Sequence, residues 1–251
     1  MPEAALAGEF ENYGTSHLTA LVVLLVGLVV VVWVGRRHRD TEEAQRFSRV
    51  FAVAIPVFTV PLQIVQLLPS DWSLETSLPL QLCDLAWVAA VYALWTHRRW
   101  AVGLTYYWGL TLTTQGIATP ALLQDFPSSR FFMFWGMHFL IVWAAVYLVW
   151  GLGLAPTWRD FRTAVAVTSA WAVAVFSFNL VVGTNYGFLN RKPSTSSILD
   201  YLGPWPQYVV LEIAVVVAVW ALMTWPWVAP GRAQPPHASP ATSPSPGLGA
   251  G

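Results

Sequence analysis

The chain has 251 residues, of which 56% are hydrophobic and only 10% are charged, with a mean hydropathy of +0.53. A soluble domain carries about 25% charged residues, so this composition indicates a polytopic membrane protein. The net charge of zero leaves no basic patch for nucleic acid. The single cysteine, Cys83, excludes an intrachain disulfide and a cysteine-rich metal cluster.

The N-terminal residues 1–16 contain three glutamates but no Lys or Arg, so they lack the positive region of a signal peptide. Apolar runs of bilayer length then predict an all-α bundle of seven transmembrane helices in one domain, residues 17–227. The predicted spans are 17–35, 47–68, 78–96, 101–118, 131–152, 163–183 and 206–226. Residues 228–251 are rich in Pro, Ala, Ser and Gly, and we expect a disordered tail there.

Basic residues are distributed unevenly between the two sets of loops. Ten of them lie in the loops after spans one, three and five or in the tail: Arg36, Arg37, Arg39, Arg46, Arg49, Arg98, Arg99, Arg159, Arg162 and Arg232. Arg130, Arg191 and Lys192 lie in the other loops. Because cytoplasmic loops carry the excess of positive charge, this distribution predicts an N-terminus outside and a C-terminus in the cytoplasm. The expected localisation is the cell membrane, with multiple passes.

Polar side chains recur near the outer ends of the predicted spans. At 1.5 Å per residue, Cys83 lies about 8 Å into span three, His138 about 10 Å into span five and Glu212 about 9 Å into span seven. Other spans contribute His17, Gln63, Gln66, Gln81, Asp84, Thr111, Gln115 and Asn179 in their outer parts. This pattern predicts one polar cavity that opens toward the outer leaflet. Buried acids inside a membrane are functional by default, whereas Gln and Thr more often join helices.

Cys83 and His138 together have a definite chemistry, because an imidazole can take the proton of a thiol and release a nucleophilic thiolate. Asp84 or Glu212 could orient the imidazole or stabilise its charge. Attack on an ester would give a thioester, which can pass its acyl group on. The simpler interpretation of a single cysteine is a small buried hydrophobic residue.

Several segments resemble the bacterial YwaF-like family of integral membrane proteins, which is distantly similar to the eukaryotic transmembrane protein 164 family of phospholipid acyltransferases. The segments are FENYGTSH at 10–17, LPLQLCD at 78–84, YWGL at 107–110, QGIATP at 115–120, FWGMH at 134–138, GTNYGFL at 183–189 and LGPWPQY at 202–208. The resemblance implies a helical membrane enzyme with Cys83 as nucleophile and His138 as its partner, acting on membrane lipids.

The longest outer loop, residues 184–206, adds Asn185, Tyr186 and Lys192 as candidate binding residues. Lys192 and its neighbour Arg191 lie on the side that the charge rule disfavours, where they could contact lipid phosphates. A solvated loop end is the equal alternative.

Two other functions are compatible with the same residues. The first is a transporter or binding protein for a small polar solute or a lipid, although seven spans without an internal repeat do not divide into the halves typical of transporters. The second is a metal-dependent hydrolase with His17, His138, Asp84 and Glu212 as ligands, which would have few histidines for that role. The sequence disfavours a retinal protein, which needs a lysine in a span for its Schiff base, because Lys192 is the only lysine and lies in a loop. We therefore expect no metal and no cofactor, while the sequence leaves the oligomeric state open.

Overall fold

The computed structural model describes residues 8–69, 72–120, 122–193 and 198–229, so nearly all of the predicted tail lies outside the described residues. Helices α1 (Thr15–Arg37), α2 (Glu42–Leu67), α3 (Leu82–Thr96), α4 (Arg99–Tyr107), α5 (Thr113–Ala118), α6 (Ser129–Val146), α7 (Trp158–Val182) and α8 (Gln207–Val228) form the bundle. One π turn, Trp108–Leu112, joins α4 to α5, and another, Tyr147–Gly151, extends α6. Each predicted span therefore has helix over most of its length.

Five helical segments are long and apolar enough to cross a membrane: Thr15–Arg37, Glu42–Leu67, Ser129–Gly151, Trp158–Val182 and Gln207–Val228. The chain is thus a multi-pass membrane protein with lipid-facing helices. Helix α3 has only 15 residues, or about 22 Å, which is shorter than a hydrocarbon core of about 30 Å.

The predicted start of the third span at residue 78 was four residues too early. Helix α3 begins at Leu82, because the N–H of Gln81 donates to Oδ2 of Asp84 at 3.0 Å. An acidic side chain three residues after the cap is a typical helix start signal. Leu78–Gln81 is instead a non-helical segment that contains Pro79.

Helix α6 occupies the centre of the bundle and contacts α1, α2, α3, α4 and α5. Its residues Ile141 and Ala144, and Leu148 in the π turn that extends it, have no exposed surface. Helix α3 packs nearby through a face of small residues, with Ala90 and Ala93 fully buried. Small side chains let membrane helices approach closely, and van der Waals attraction at this short distance stabilises the bundle.

The ends of the helices that carry the arginine-rich loops collect at one end of the bundle, which we call the arginine end. Arg39 donates to the carbonyl of Gly151 at 2.7 Å, and Arg99 contacts the carboxylate of Asp160 at 3.2 Å. We call the opposite end, where His17 of α1 meets Ile117 of α5, the distal end.

A chain of hydrogen bonds joins three helices at the arginine end. His97, just after α3, contacts Oγ of Ser48 through Nε2 at 3.1 Å and the amide of Gln45 through Nδ1 at 3.3 Å. Ser48 in turn contacts the phenol oxygen of Tyr147 at 3.1 Å, and that phenol donates to the carbonyl of Ala44. Burial lowers the pKa of His97, which favours its neutral form in the folded protein.

Candidate functional site

Cys83 is the second residue of α3, so its thiol lies in the first turn of that helix. Residues three and seven positions further along, Ala86 and Ala90, share its side of the helix and are buried in the core. Cys83 therefore belongs to the inward face of α3, and its side chain is half-buried. The N–H groups of a first turn have no intrahelical acceptors and stabilise negative charge.

Within the described part of the chain, the carboxylate of Asp84 is hydrogen-bonded to the backbone and not to a histidine. This carboxylate accepts the N–H of Gln81, as described above, and thereby fixes where α3 begins. The side-chain oxygen of Gln81 accepts the N–H of Gly187 at 3.1 Å, which attaches the loop after α7 to the start of α3. Gln81 and Asp84 thus fix the start of the helix that carries the Cys83 thiol.

His138 of α6 is held in one orientation by its own helix. Its Nδ1 lies 2.8 Å from the carbonyl oxygen of Phe134, and because a carbonyl can only accept, Nδ1 carries the proton. The imidazole also packs on the ring of Phe134, with 4.1 Å between the ring centroids. In the neutral ring Nε2 then has a free lone pair, which is the form a general base requires.

Nε2 of His138 points toward Gly116 of α5. A Cβ added to Gly116 would lie 3.2 Å from Nε2 and 3.4 Å from Cδ2, so the missing side chain leaves room beside the ring. Among the described residues, Nε2 has no hydrogen-bond partner. The ring as a whole is buried, and Nε2 keeps a lone pair that no described residue uses.

Cys83 and His138 lie on helices that pack against each other, α3 and α6. No hydrogen bond joins the thiol to the imidazole within the described part of the chain. Their depths also differ from the sequence estimate, because Cys83 is in the first turn of α3 while His138 is nine residues, or about 14 Å, from the start of α6. Helix α6 begins further out than α1, since its Trp135 packs on the ring of His17 at 5.4 Å.

His17 serves the fold rather than a ligand in this structure. Its Nδ1 accepts the N–H of Tyr13 at 3.0 Å, and its Nε2 donates to the carbonyl of Ile117 at 3.0 Å. The ring is fully buried among Phe10, Tyr13 and Trp135. Because both ring nitrogens are used, His17 ties α1 to α5 at the distal end.

Asn179 anchors the outer loop through its whole side chain. Its amide nitrogen donates to the carbonyl of Tyr186 and to Asn190, and its oxygen accepts from Thr184 and from the N–H of Tyr186. Asn185 closes the same loop by binding the backbone of Arg191. The polar residues near the end of α7 therefore hold the following loop in place.

Tyr186 attaches this loop to the segment before α3. Its phenol donates to the carbonyl of Leu74 at 2.8 Å and accepts the N–H of Leu78 at 3.0 Å. Burial raises the pKa of Tyr186, so the phenol keeps the proton that it donates. Lys192, further along the loop, lies 3.8 Å from the carboxylate of Asp200 and 5.8 Å from the ring of Tyr208.

The remaining predicted cavity residues are dispersed. Gln63 donates to the carbonyl of Ser77 at 3.0 Å, and Thr111 accepts from Nε1 of Trp220 at 3.1 Å. Gln66 and Glu212 are half-buried and make no side-chain hydrogen bond within the described ranges. The expectation that Glu212 pairs with a histidine, glutamine or threonine is therefore not met.

Gln115, which the sequence predicts to line the cavity, has an exposed side chain. Successive helical residues turn by about 100°, so the side of α5 that packs inward carries Thr113, Gly116 and Ile117 instead. The sequence analysis missed Gly116 and the Phe134 carbonyl. The short segments QGIA and FWGMH contain both, and a glycine one turn from a helix end was the available signal.

Among the residues that the structure describes, no three His, Cys, Asp or Glu side chains come together in a way that could hold a metal ion. The arrangement supplies a thiol at a helix start and an oriented imidazole. A thiol and an imidazole are the types of group that a cysteine nucleophile and its general base use.

Comparison with known proteins gives a family match that covers most of the chain. The model of the TMEM164 family matches residues 12–224, from just before α1 to near the end of α8. No curated protein and no solved structure matches. The likeness to transmembrane protein 164 is thereby confirmed, while the assignment to the bacterial YwaF-like family stays a prediction.

Proposed function

Since the chain belongs to the TMEM164 family, we propose that it is a lipid acyltransferase or acyl hydrolase that uses Cys83 as nucleophile and His138 as general base. The observation that carries the proposal is the orientation of His138. Its Nδ1–H is held by the Phe134 carbonyl, and its Nε2 faces the space beside Gly116. Although the ring is buried, Nε2 keeps a lone pair that no described residue uses, and a general base requires such a lone pair.

The first half of the reaction forms a thioester. Nε2 of His138 takes the proton of the Cys83 thiol, and the thiolate attacks the carbonyl carbon of a lipid ester. The C–O bond of the ester breaks, and the leaving alkoxide takes the proton from His138. The products are a lysolipid and an acyl group on Cys83.

The second half releases the acyl group. His138 takes a proton from water or from the hydroxyl of an acceptor lipid, and that oxygen attacks the thioester carbonyl. The C–S bond breaks, and the thiolate recovers the proton from His138. Water as acceptor gives hydrolysis, and a lipid hydroxyl gives acyl transfer.

The start of α3 supports both steps electrostatically. The N–H groups of Leu82 and Cys83 belong to its first turn, where a developing oxyanion or thiolate is stabilised. Asp84 supports the reaction indirectly, because its bond to Gln81 determines that the helix begins there. The orienting role that a carboxylate has in many triads belongs here to the Phe134 carbonyl.

The thiol and the imidazole must approach each other before they can react, because no hydrogen bond joins them among the described residues. Catalytic hydrogen bonds in unliganded enzymes are often long and shorten when substrate binds. A lipid ester that enters beside Gly116 would supply the binding energy for this approach.

We also propose that the chain crosses the membrane seven times and that its distal end faces outward. Helix α3 and the segment α4–α5 would cross together with the five long helices, which leaves the N-terminus outside and the C-terminus in the cytoplasm. The site then serves the outer leaflet of the cell membrane. A reporter fused after Trp227 should be active only in the cytoplasm, and activity on the outer side would contradict the seven-span topology.

The decisive experiment uses purified protein in detergent with a phospholipid that carries a labelled acyl chain. Wild type should form a labelled protein that hydroxylamine cleaves, as a thioester requires. Cys83→Ala should abolish labelling, and His138→Ala should lower turnover by orders of magnitude, since residues that act as a unit have similar single effects. Asn179→Ser is a control that tests loop anchoring without touching the pair.

The opposite results have clear meanings. Equal product from wild type and Cys83→Ala would remove Cys83 from the chemistry. If labelled lipid then bound without turnover, the same inner face of α3 would serve a binding or transport function instead.

A further inference from the structure

An open groove of about 800 Å³ runs along α1 at the arginine end, beside the end of α6. This volume lies in the range of about 300–1,000 Å³ that is typical of small-molecule sites. Its walls are apolar and include Val29 and Val32 of α1 and Val146 of α6, while Arg36 and Arg37 form its rim. The groove is remote from Cys83 and His138, which lie toward the distal end.

Close glycine contacts fix the position of α1 beside this groove. A Cβ on Gly35 would lie 2.5 Å from Cα of Gly151, and one on Gly27 would overlap the ring of Trp143. Helix α1 and the α6 segment with its π turn are therefore in direct contact at both glycines, and a larger side chain at either position would push them apart. The groove lies beside these contacts, so its shape is determined by how the two helices pack.

The π turn at the end of α6 supplies part of the rim. The π turn ends at Gly151, so the carbonyls of Trp150 and Gly151 belong to the last turn and have no donor further along the helix. Arg36 donates through Nε to Trp150, at 3.3 Å, and Arg39 donates to both carbonyls. These bonds hold the stem of Arg36 at the groove and leave its terminal nitrogens free.

The positive charge of the rim is uncompensated within the described part of the chain. No Asp or Glu there forms an ion pair with Arg36 or Arg37, and both side chains are exposed. Arg37 lies over the ring of Trp33, 5.7 Å from its centroid, and this contact directs the guanidinium along the groove. An anion is the natural partner of two such guanidinium groups.

We propose that the groove binds a phospholipid of net negative charge from the leaflet at the arginine end. One acyl chain would lie against the valines of α1 and α6, and the phosphate would contact Arg36 and Arg37. Basic pockets between transmembrane helices bind anionic headgroups in this way. A second copy of the chain fits less well, because it would bring two arginine rims together without counter-charge.

Binding is measured with the full-length protein in detergent, by native mass spectrometry at increasing concentrations of lipid. Phosphatidylglycerol should remain bound, phosphatidylcholine should bind several-fold more weakly, and inorganic phosphate alone should not bind. Arg36→Gln and Arg37→Gln should each weaken phosphatidylglycerol about fivefold, and the double variant roughly 30-fold. Arg162→Gln, an exposed arginine of α7 at the same end, is the matched control and should have no effect.

A second pair of variants tests the acyl part of the site. Val29→Trp fills the groove from an exposed position, whereas Val22→Trp places the same bulk two turns away on the same face of α1. The first should weaken phosphatidylglycerol at least tenfold and the second should not. Equal binding of the two lipids, or full binding by the double arginine variant or by Val29→Trp, would overturn the proposal. None of these results depends on Cys83 or His138.

Discussion

Gly116→Ala is expected to separate turnover from stability. The new methyl group would lie 3.2 Å from Nε2 of His138, closer than an ordinary van der Waals contact, so the ring must shift by a few tenths of an ångström. Alanine in place of glycine within a helix gains about 1 kcal/mol in propensity, and crowding of this size costs about as much. The free energy of unfolding should therefore change by less than about 1 kcal/mol.

The effect on catalysis should be much larger. A misplacement of about 1 Å in an active site can cost about 100-fold in rate, and the methyl group also fills the space in front of Nε2. For the smaller shift expected here, turnover should fall roughly 10- to 100-fold. The variant would thus be folded and poorly active, a combination that a packing role for His138 does not produce.

Gly109→Ala is the matched control in the same helical segment. Its Cβ would lie 3.1 Å from Cβ of Ala145 and 3.3 Å from the carbonyl oxygen of Ile141, in the core below His138. The gain in helix propensity is the same as for Gly116, but a Cβ and a backbone carbonyl cannot turn aside as a ring can, so the free energy of unfolding should fall by up to about 2 kcal/mol. Its turnover per folded molecule should stay near that of wild type.

Both variants are assayed together for release of a labelled acyl chain and for thermal unfolding in one detergent. Unchanged turnover in Gly116→Ala, with a thermal midpoint near wild type, would refute the role of Nε2 as base. Loss of turnover in both variants in proportion to their loss of folded protein would refute it too, because the effect would then reflect stability alone.

Two further predictions concern the arginine end. Gly35→Ala should destabilise the fold by about 1–3 kcal/mol in chemical denaturation, because its Cβ would meet the backbone of Gly151 at 2.5 Å. The control is Gly8→Ala, whose Cβ would meet no atom within 4 Å and which should have far less effect. Burial lowers the pKa of His97 in the folded protein, so as the pH falls the unfolded chain takes up this proton before the folded protein does. The contribution of His97 to the free energy of unfolding should therefore be fully present above about pH 6.5 and decrease as the pH falls toward the lowered pKa of the folded state. His97→Gln should flatten that fall in thermal midpoints measured from pH 5 to 8, and an unchanged profile would contradict the assignment.

The helices were predictable because hydropathy over about 20 residues reports burial in lipid. The start of α3 was not, since the apolar character of Leu78 and Leu80 continues the run without a break. A single bond from the Gln81 N–H to Asp84 decides the boundary. Asp84, three residues after Gln81, was the local signal for the helix start. It was interpreted as an acid inside the membrane, so its capping role was overlooked.

The candidate site was predictable in its residue types and less so in its contacts. His138 stood out because histidine is costly inside a membrane. Its orienting group is a backbone carbonyl, and every residue carries one, so no sequence pattern could select Phe134. The exposed position of Gln115 shows the other limit, since α5 is too short for periodicity to determine which side faces inward.

Most of the polar groups at the distal end serve the fold. His17 uses both ring nitrogens, Asn179 uses its whole amide, and Tyr186 both donates and accepts. In a bilayer each such group must be paired, so polar residues near a helix end are first of all the means of holding loops. Nε2 of His138 differs from these groups, because no described residue is its hydrogen-bond partner. Gln66, Glu212 and Nε1 of Trp135 also have no side-chain partner among the described residues, but none of them combines with a thiol to give a nucleophile and its base. The chemistry of a thiol and an imidazole, and not the lack of a partner alone, is therefore the reason why the pair carries the proposed reaction.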